Sequence, residues 1–557
     1  MKMQVRHGLA AVRPAIRYQT EAGGIHPLDA GGFADGLPNP AQFFGVAGCV
    51  AGCVAGGVAL AEFHYIRAVL LRYDQRMDLR DRVYIVERGG VRMAVFGLMG
   101  SDSHETAPMT EFKWEPVAEA AKRVVKRINE NEDVDLIVAL SHSGVFSDPK
   151  KSEDELLAKA VPEIDVIVSG HTHAFLREPI TIGNTHIVSQ GEYGQYFSTL
   201  TLARRVDGRW DVADSFHRLI DDSIAEDERI AEKVEGYILD ASELYLSAFG
   251  YQLDQVLARN DWTFTPLAEF GETLREEPLG NLISDAFRHA VKQAEGERYE
   301  EIAMAMTANG LVRGSFVPGD VTVRDAFNIA SLGIGADGTP GYPLISVFIT
   351  GKELKTAAEV DVSVSRLMSA AQLYPSGVCW TYNPNRLILN RVTDVWIDRG
   401  DGIREEIDDA KLYRIVTSLY CAQMLSAVEG RSFGLLSIAP KNSDGSAMVD
   451  FEANIIRDGE GREVKEWTAI AGYLASMGVI SDSYGAVEGR KVSVPDASIG
   501  AILSRPNKIG MIAIAVVLAL LLLIVLVVYL LITGKKRREK RREKKQVTKE
   551  KKNSDSV

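Results

Sequence analysis

Two short apolar runs, each closing on histidine, constrain this chain more than anything else in it. Asp135-Leu136-Ile137-Val138-Ala139-Leu140 runs into Ser141-His142-Ser143-Gly144, and further on Asp165-Val166-Ile167-Val168-Ser169 runs into Gly170-His171-Thr172-His173. Uninterrupted Val, Ile and Leu over a few residues is the pattern of strands covered on both faces, as parallel sheets require. An earlier run, Val91–Leu98, reads as a strand as well. Val117–Asn131 reads as an amphipathic helix ahead of the first histidine run, and Asp154–Ala160 as a short helix ahead of the second. That alternation predicts parallel strands with helices across their faces. The histidines then stand at the carboxyl ends of neighbouring strands, the edge where open α/β sheets hold ligands. His142, His171 and His173 are therefore candidate metal ligands, because imidazole binds Zn, Mn, Fe and Ni and the flanking glycines let the backbone turn tightly. The plainer alternative is three hydrogen-bonded loop histidines.

The chain has 557 residues, too many for one hydrophobic core, and predicts two domains plus extras. Thr185–Gln190 and Ser198–Leu202 read as later strands of the first domain. Ser223 to about Asn260 is helical in pattern, with Ile230, Val234, Ile238 and Leu239 on one face, and is expected to connect the domains. Beyond Trp262, helices such as Leu279–Gln293 mix with strands such as Ile345–Thr350 and Leu412–Thr417.

The pair Leu140-Ser141-His142-Ser143-Gly144 and Gly170-His171-Thr172-His173 resembles the later half of the calcineurin-like metallophosphoesterase signature, as carried by 5'-nucleotidases and UDP-sugar hydrolases. Gly280-Asn281-Leu282-Ile283-Ser284-Asp285-Ala286 resembles a motif of the same family's second domain. Further echoes follow at Asn309-Gly310-Leu311-Val312-Arg313, Ser376–Tyr382 and Ser432–Leu436. The resemblance runs from about Val83 to Gly489. It implies an α/β fold: a two-sheet α/β sandwich metallophosphoesterase domain over 83–222, a connector helix over 223–261, and a second α/β domain, the 5'-nucleotidase C-terminal domain, over 262–492. It also implies divalent metal ions, Zn, Mn or similar. Two are expected from the family, with His142 and His171 on one and His173 on the other; three ligands alone leave open whether this chain holds one. For the substrate, a nucleotide or nucleotide sugar, the resemblance assigns Arg275, Asn309 and Arg313, with Phe433 stacking on the base. Arginine suits phosphate because its planar fork stays charged and donates in pairs.

The same family opens with Asp-x-His, Gly-Asp and Gly-Asn-His motifs, and residues 1–82 contain none of them. Leu28-Asp29-Ala30-Gly31-Gly32 is a weak echo, with Gly32 where a bridging carboxylate belongs. Asp102-Ser103-His104 spells Asp-x-His but follows the Val91–Leu98 strand, so it is expected to be a loop. No catalytic residue is assignable. The resemblance predicts a phosphoester hydrolase; the missing ligands favour the alternative, a catalytically inactive surface protein that keeps the fold and binds nucleotide.

Ile509–Thr533 is 25 residues without a charge, long enough to span a bilayer with some tilt. A short polar linker, 493–508, precedes it. The tail at 534–557 follows, with 12 Lys or Arg against 4 Asp or Glu. By the positive-inside rule this predicts a single-pass cell-membrane protein with a cytoplasmic tail and an extracytoplasmic N-terminal part. The lipid bilayer is thus an expected partner. The whole chain carries −13 and the tail +8, so the rest carries −21, which argues against nucleic acid as a partner. Gly45–Ala61, uncharged and ending Ala59-Leu60-Ala61, has the composition of an export signal or of a buried segment. Cys49 and Cys53 lie four apart in an Ala/Gly/Val run and Cys379 and Cys421 are scattered; the four make no disulfide framework, and stability is not expected to depend on them. Nothing in the pattern fixes the oligomeric state.

Overall fold

The computed structural model describes residues 83–107, 113–366, 368–400, 402–424 and 436–554. The Gly45–Ala61 run, the Leu28–Gly32 echo, Cys49, Cys53 and Phe433 lie outside the described residues. The chain divides into two compact units, Met1–Leu257 with Thr322–Tyr342, and Ala258–Val321 with Pro343–Val557.

In the first unit, eight strands follow one another: β1 (Val83–Arg88), β2 (Val91–Met99), β3 (Leu136–His142), β4 (Val166–Ser169), β5 (Ile180–Ile182), β6 (Thr185–Val188), β7 (Tyr196–Arg204) and β8 (Trp210–Leu219). The first six form one sheet in the order β1-β2-β3-β4-β6-β5. β2, β3, β4 and β6 run parallel, while β1 and β5 close the edges antiparallel. Successive side chains in a strand point to opposite faces, and here both faces are buried. Ala94, Phe96, Ile137, Ala139 and Ile167 face the helices Val117–Asn131 and Glu153–Ala160. Met93, Val95, Leu136, Val138 and Val168 face the other way, against Leu200 and Trp210 of the β7–β8 hairpin. The six-stranded sheet and the β7–β8 hairpin are the two sheets of the expected α/β sandwich, with the helices on the outer face of the first.

β1, β5 and β8 have no counterpart among the expected strands: β5 is three residues at a sheet edge and β8 sets polar residues between its apolar ones, whereas β1, at the other edge, does carry a short apolar run, Val83–Val86. The helix expected to continue to about Asn260 is shorter. It spans Glu228–Asp240, is extended by wider and tighter turns to Phe249, and gives way to a strand at Val256–Asn260. Asp227 caps the helix by accepting from the Arg229 and Ile230 amides. Gly250, at φ 78°, ends the turns that follow it, so the helical pattern stops there.

The second unit holds two four-stranded sheets. The first has the order Leu344–Thr350, Leu412–Ser418, Met304–Ala308, Leu373–Ser376. The second has the order Arg404–Glu406, Val392–Asp398, Val378–Tyr382, Lys491–Ser493. Helix Pro278–Glu295 packs on Met304–Ala308 and on helix Glu466–Met477. The Gly280–Ala286 motif lies on the first of these helices, and its polar members are structural. Gly280 is required because a Cβ there would meet the Tyr374 ring at 2.3 Å. Asn281 donates to Glu276, Ser284 to the Tyr374 carbonyl, and Asp285 accepts two bonds from Arg490. Cys379 and Cys421 are free and buried, and burial pushes the Cys379 thiol up to about 12. The chain ends in one helix, Lys508–Ser554, of which Lys508–Arg542 is long and apolar enough to cross a membrane.

Candidate functional site

The carboxyl ends of β2, β3 and β4 converge, and the reason is a pair of carboxylates at the start of the Glu153–Ala160 helix. Glu153 accepts from the Ser101 amide at 2.9 Å, just past β2. Asp154 is fully buried and accepts from Ser141 at 2.5 Å, Ser169 at 2.5 Å and the Gly144 amide at 3.0 Å, at the ends of β3 and β4. Burial pushes the Asp154 carboxyl up to about 6, against the opposing pull of those donors. One turn of helix thereby ties three strand ends together. Gly144 stands at φ 96°, and a Cβ on it would meet Thr172 at 2.3 Å, so the His142 loop and the His171 loop touch at a position only glycine fits.

On this platform the His142 and His171 rings lie 5.0 Å apart, tilted by 56°. Asp102 Oδ2 stands 2.9 Å from His171 Nε2. His173 pairs with Glu192 through Nδ1 and lies 6.1 Å from the Tyr193 ring. His171 and His173 both have positive φ, 72° and 57°. Left-handed backbone costs a non-glycine residue about 1–3 kcal/mol and collects where function needs it. The expected loop at Asp102-Ser103-His104 is instead a short helix, Ser101–Glu105, held by the Glu153 bond at its start. Its Asp102 belongs to the histidine cluster. Sequence spacing puts Asp102 too late in the chain for the family motif, and only the convergence of β2 with β3 and β4 reveals it. Asp154 and Glu192 are likewise invisible in sequence, since single carboxylates carry no pattern.

The donor chemistry is right for a divalent cation, with imidazoles backed by carboxylates. The set is short, however. Among the described residues no group of three or more His, Cys, Asp or Glu side chains is arranged to hold a metal ion. A closed tetrahedral site needs four donors, so the described residues alone do not fit one.

In the second unit, Arg275 pairs with the buried Glu277 through a 2.6 Å bond, which raises the guanidinium's pKa further, and its side chain stays half exposed. Gln372 joins it to Asn309: its Nε2 donates to the Arg275 carbonyl at 2.9 Å and lies 3.2 Å from the Tyr374 hydroxyl. That hydroxyl donates to Asn309 Oδ1 at 3.5 Å, and burial raises the phenol's pKa, keeping it a neutral donor. Arg313 follows Asn309 by one short turn. Its buried Nε has no hydrogen-bond partner among the described residues. Arg275 and Asn309 are thus brought into one network, and Arg313 is a partly buried cation with donor capacity to spare.

Residues 259–427 match the model of the 5'-nucleotidase, C-terminal domain family. The trifunctional nucleotide phosphoesterase protein YfkN of Bacillus subtilis is 27% identical over 340 residues, covering 60% of this chain and 21% of its own length. An apyrase from Tabanus yao is 23% identical, covering 61% of each. The chain therefore spans about a fifth and about three fifths of these two relatives. The crystal structure of a 5'-nucleotidase precursor from Thermus thermophilus shares the fold, with a TM-score of 0.53 at 20% identity over 74% of this chain and 75% of that one.

Proposed function

We propose that this chain, whose residues 259–427 match the 5'-nucleotidase C-terminal domain family, is a membrane-anchored hydrolase of nucleotides or related phosphoesters. Divalent metals are general in that family. The observation that supports the reading most is His171, which neighbours the His142 ring and pairs with Asp102 on the ligand-bearing edge of the parallel sheet. Within it, Asp102 orients the His171 ring, Glu192 orients His173, and the Asp154 bonds hold both loops in register. Arg313 and Arg275 supply fixed positive charge for phosphate oxygens in a chain that is otherwise acidic. The apolar helix from Lys508 supports a single span, with the basic tail on the cytoplasmic side. A second reading, a nucleotide-binding surface protein without catalysis, is favoured by the lack of a three-donor cluster among the described residues.

The full-length protein, assayed for phosphate release from AMP and UDP-glucose with Mn, Zn or Co added, separates the two. Hydrolysis that requires metal, and that falls by about tenfold or more in His171→Ala, supports the enzyme; supporting residues of metal sites already act on that scale. No release from either substrate, with metal content unchanged in His171→Ala, supports the binding protein.

A further inference from the structure

The polar segment ahead of the apolar helix is bonded to the second unit along its length. Asn383 donates to the Asp496 carbonyl at 2.8 Å, and Arg386 to the carbonyls of Ser504 at 2.7 Å and Arg505 at 3.2 Å. The Asn507 amide donates to Asn390 at 2.9 Å, its side chain donates to the Leu389 carbonyl at 2.6 Å, and its Oδ1 accepts from the Gly510 amide at 2.8 Å. Gly510 lies so close that a Cβ would meet the Asn390 carboxamide at 2.7 Å. Ile509 packs beside Leu389 on a core cluster that includes Val360, Val364 and Leu436. The first turn of the apolar helix is therefore part of the folded domain.

This fixes where the neighbouring surface must be. The uncharged stretch of 25 residues is about 37 Å long at 1.5 Å per residue, against about 30 Å of hydrocarbon, so about one turn is left for the headgroup region. That turn is the one in contact with the domain. Around it, Leu387 and Ile388 are 46% and 45% exposed directly after Arg386. Leu503, 47% exposed, precedes Ser504, and Ile499, 77% exposed, stands four residues earlier on the same helix face. Arg505 and Lys508 are exposed beside them. Aliphatic side chains rimmed by cations are what an interfacial lipid contact uses.

We propose that the Leu387–Ile388 loop and the Ile499–Leu503 helix form a membrane-apposed face whose aliphatic side chains enter the adjoining leaflet and hold the C-terminal domain against the bilayer. The inference rests on the membrane-anchored reading above. Continuity with the spanning helix, through Asn390, Asn507 and Gly510, selects lipid as the occupant.

The test uses full-length protein in phosphatidylcholine and phosphatidylserine vesicles, with Cys49 and Cys53 changed to Ser and the buried Cys379 and Cys421 left in place. Single cysteines at Ile388→Cys, at Val525→Cys in the apolar helix and at the 90% exposed Val449→Cys carry an environment-sensitive fluorophore. The probe at 388 is expected to emit to the blue of the probe at 449 and to lose most of its emission when nitroxide-bearing lipid is included. Adding Leu503→Asp is expected to return the 388 probe toward the behaviour at 449. A 388 probe that matches 449 while the 525 probe is quenched overturns the proposal and leaves the membrane anchor standing. A blue-shifted 388 probe untouched by nitroxide lipid means a protein contact, such as a second copy, and overturns it too. A 525 probe that escapes quenching overturns the anchor and the proposal together.

Discussion

Raising the pH from 4 to 7 is expected to cost the first unit up to about 3 kcal/mol of stability through Asp154 alone, and Asp154→Asn is expected to abolish that loss. The carboxyl is raised from an ordinary 3.8 to about 6 in the fold, chiefly by burial. A group raised on folding binds its proton more tightly in the native state, so its contribution is fully present below about 3.8 and is lost as the pH climbs through about 6. A rise of that size corresponds to about 3 kcal/mol. Asparagine has no charge to desolvate, and its amide can still accept from Gly144 and Ser169 while donating to Ser141. Alanine can do neither. It leaves three donors at the ends of β3 and β4 without their acceptor, at about 1–3 kcal/mol each where they stay buried. Urea unfolding of wild type, Asp154→Asn and Asp154→Ala at about pH 4.5 and 7 checks this. Asparagine should exceed alanine at both values, and the wild type should approach asparagine only in acid. Equal pH slopes in wild type and Asp154→Asn would remove the buried carboxylate from the account.

The same residue shows how far sequence carries here. β2, β3 and β4 are legible because central parallel strands are covered on both faces, which writes an unbroken apolar run into the chain. The histidines are legible because Gly-His-Thr-His sits where such a run ends. β5 and β8 leave no comparable mark, because an edge or half-covered strand carries polar residues between its apolar ones; β1 does carry the short run Val83–Val86, which two charged residues close at once. Asp102, Glu192 and Asp154 act through contacts formed by convergence of separate loops, and a lone carboxylate looks the same in sequence whether it faces water or three buried donors. Residues 493–508 read as a polar tether for a related reason: Asn507 and Ser504 are typical of linkers, and only the fold shows their groups bonded to Asn390 and Arg386.

Lys491→Met is expected to destabilise the second unit by about 3–5 kcal/mol, the cost of leaving a buried charge without its partner. The Lys491 and Asp361 side chains are both fully buried and 3.0 Å apart. Desolvation lowers the lysine's pKa and raises the aspartate's, and their mutual attraction opposes both shifts. Asp361 also accepts from the Leu373 amide at 2.8 Å and the Trp380 indole at 3.2 Å, so it cannot move to water when the lysine is gone. Adding Asp361→Asn removes the stranded charge and keeps an acceptor for Leu373, so the double variant should regain about 1–3 kcal/mol, a coupling energy typical of residues in contact. Chemical unfolding of the two single variants and the double variant measures it, and strict additivity would mean that the pair does not act as one. The consequence reaches the proposed substrate residues. Lys491 Nζ lies 5.0 Å from the centre of the Tyr374 ring and donates to the Leu373 carbonyl at 2.9 Å, and the Tyr374 hydroxyl donates to Asn309. A substitution that loosens Lys491 should therefore weaken nucleotide binding under conditions where the unit is still folded, and the Asp361→Asn partner should restore stability and binding together.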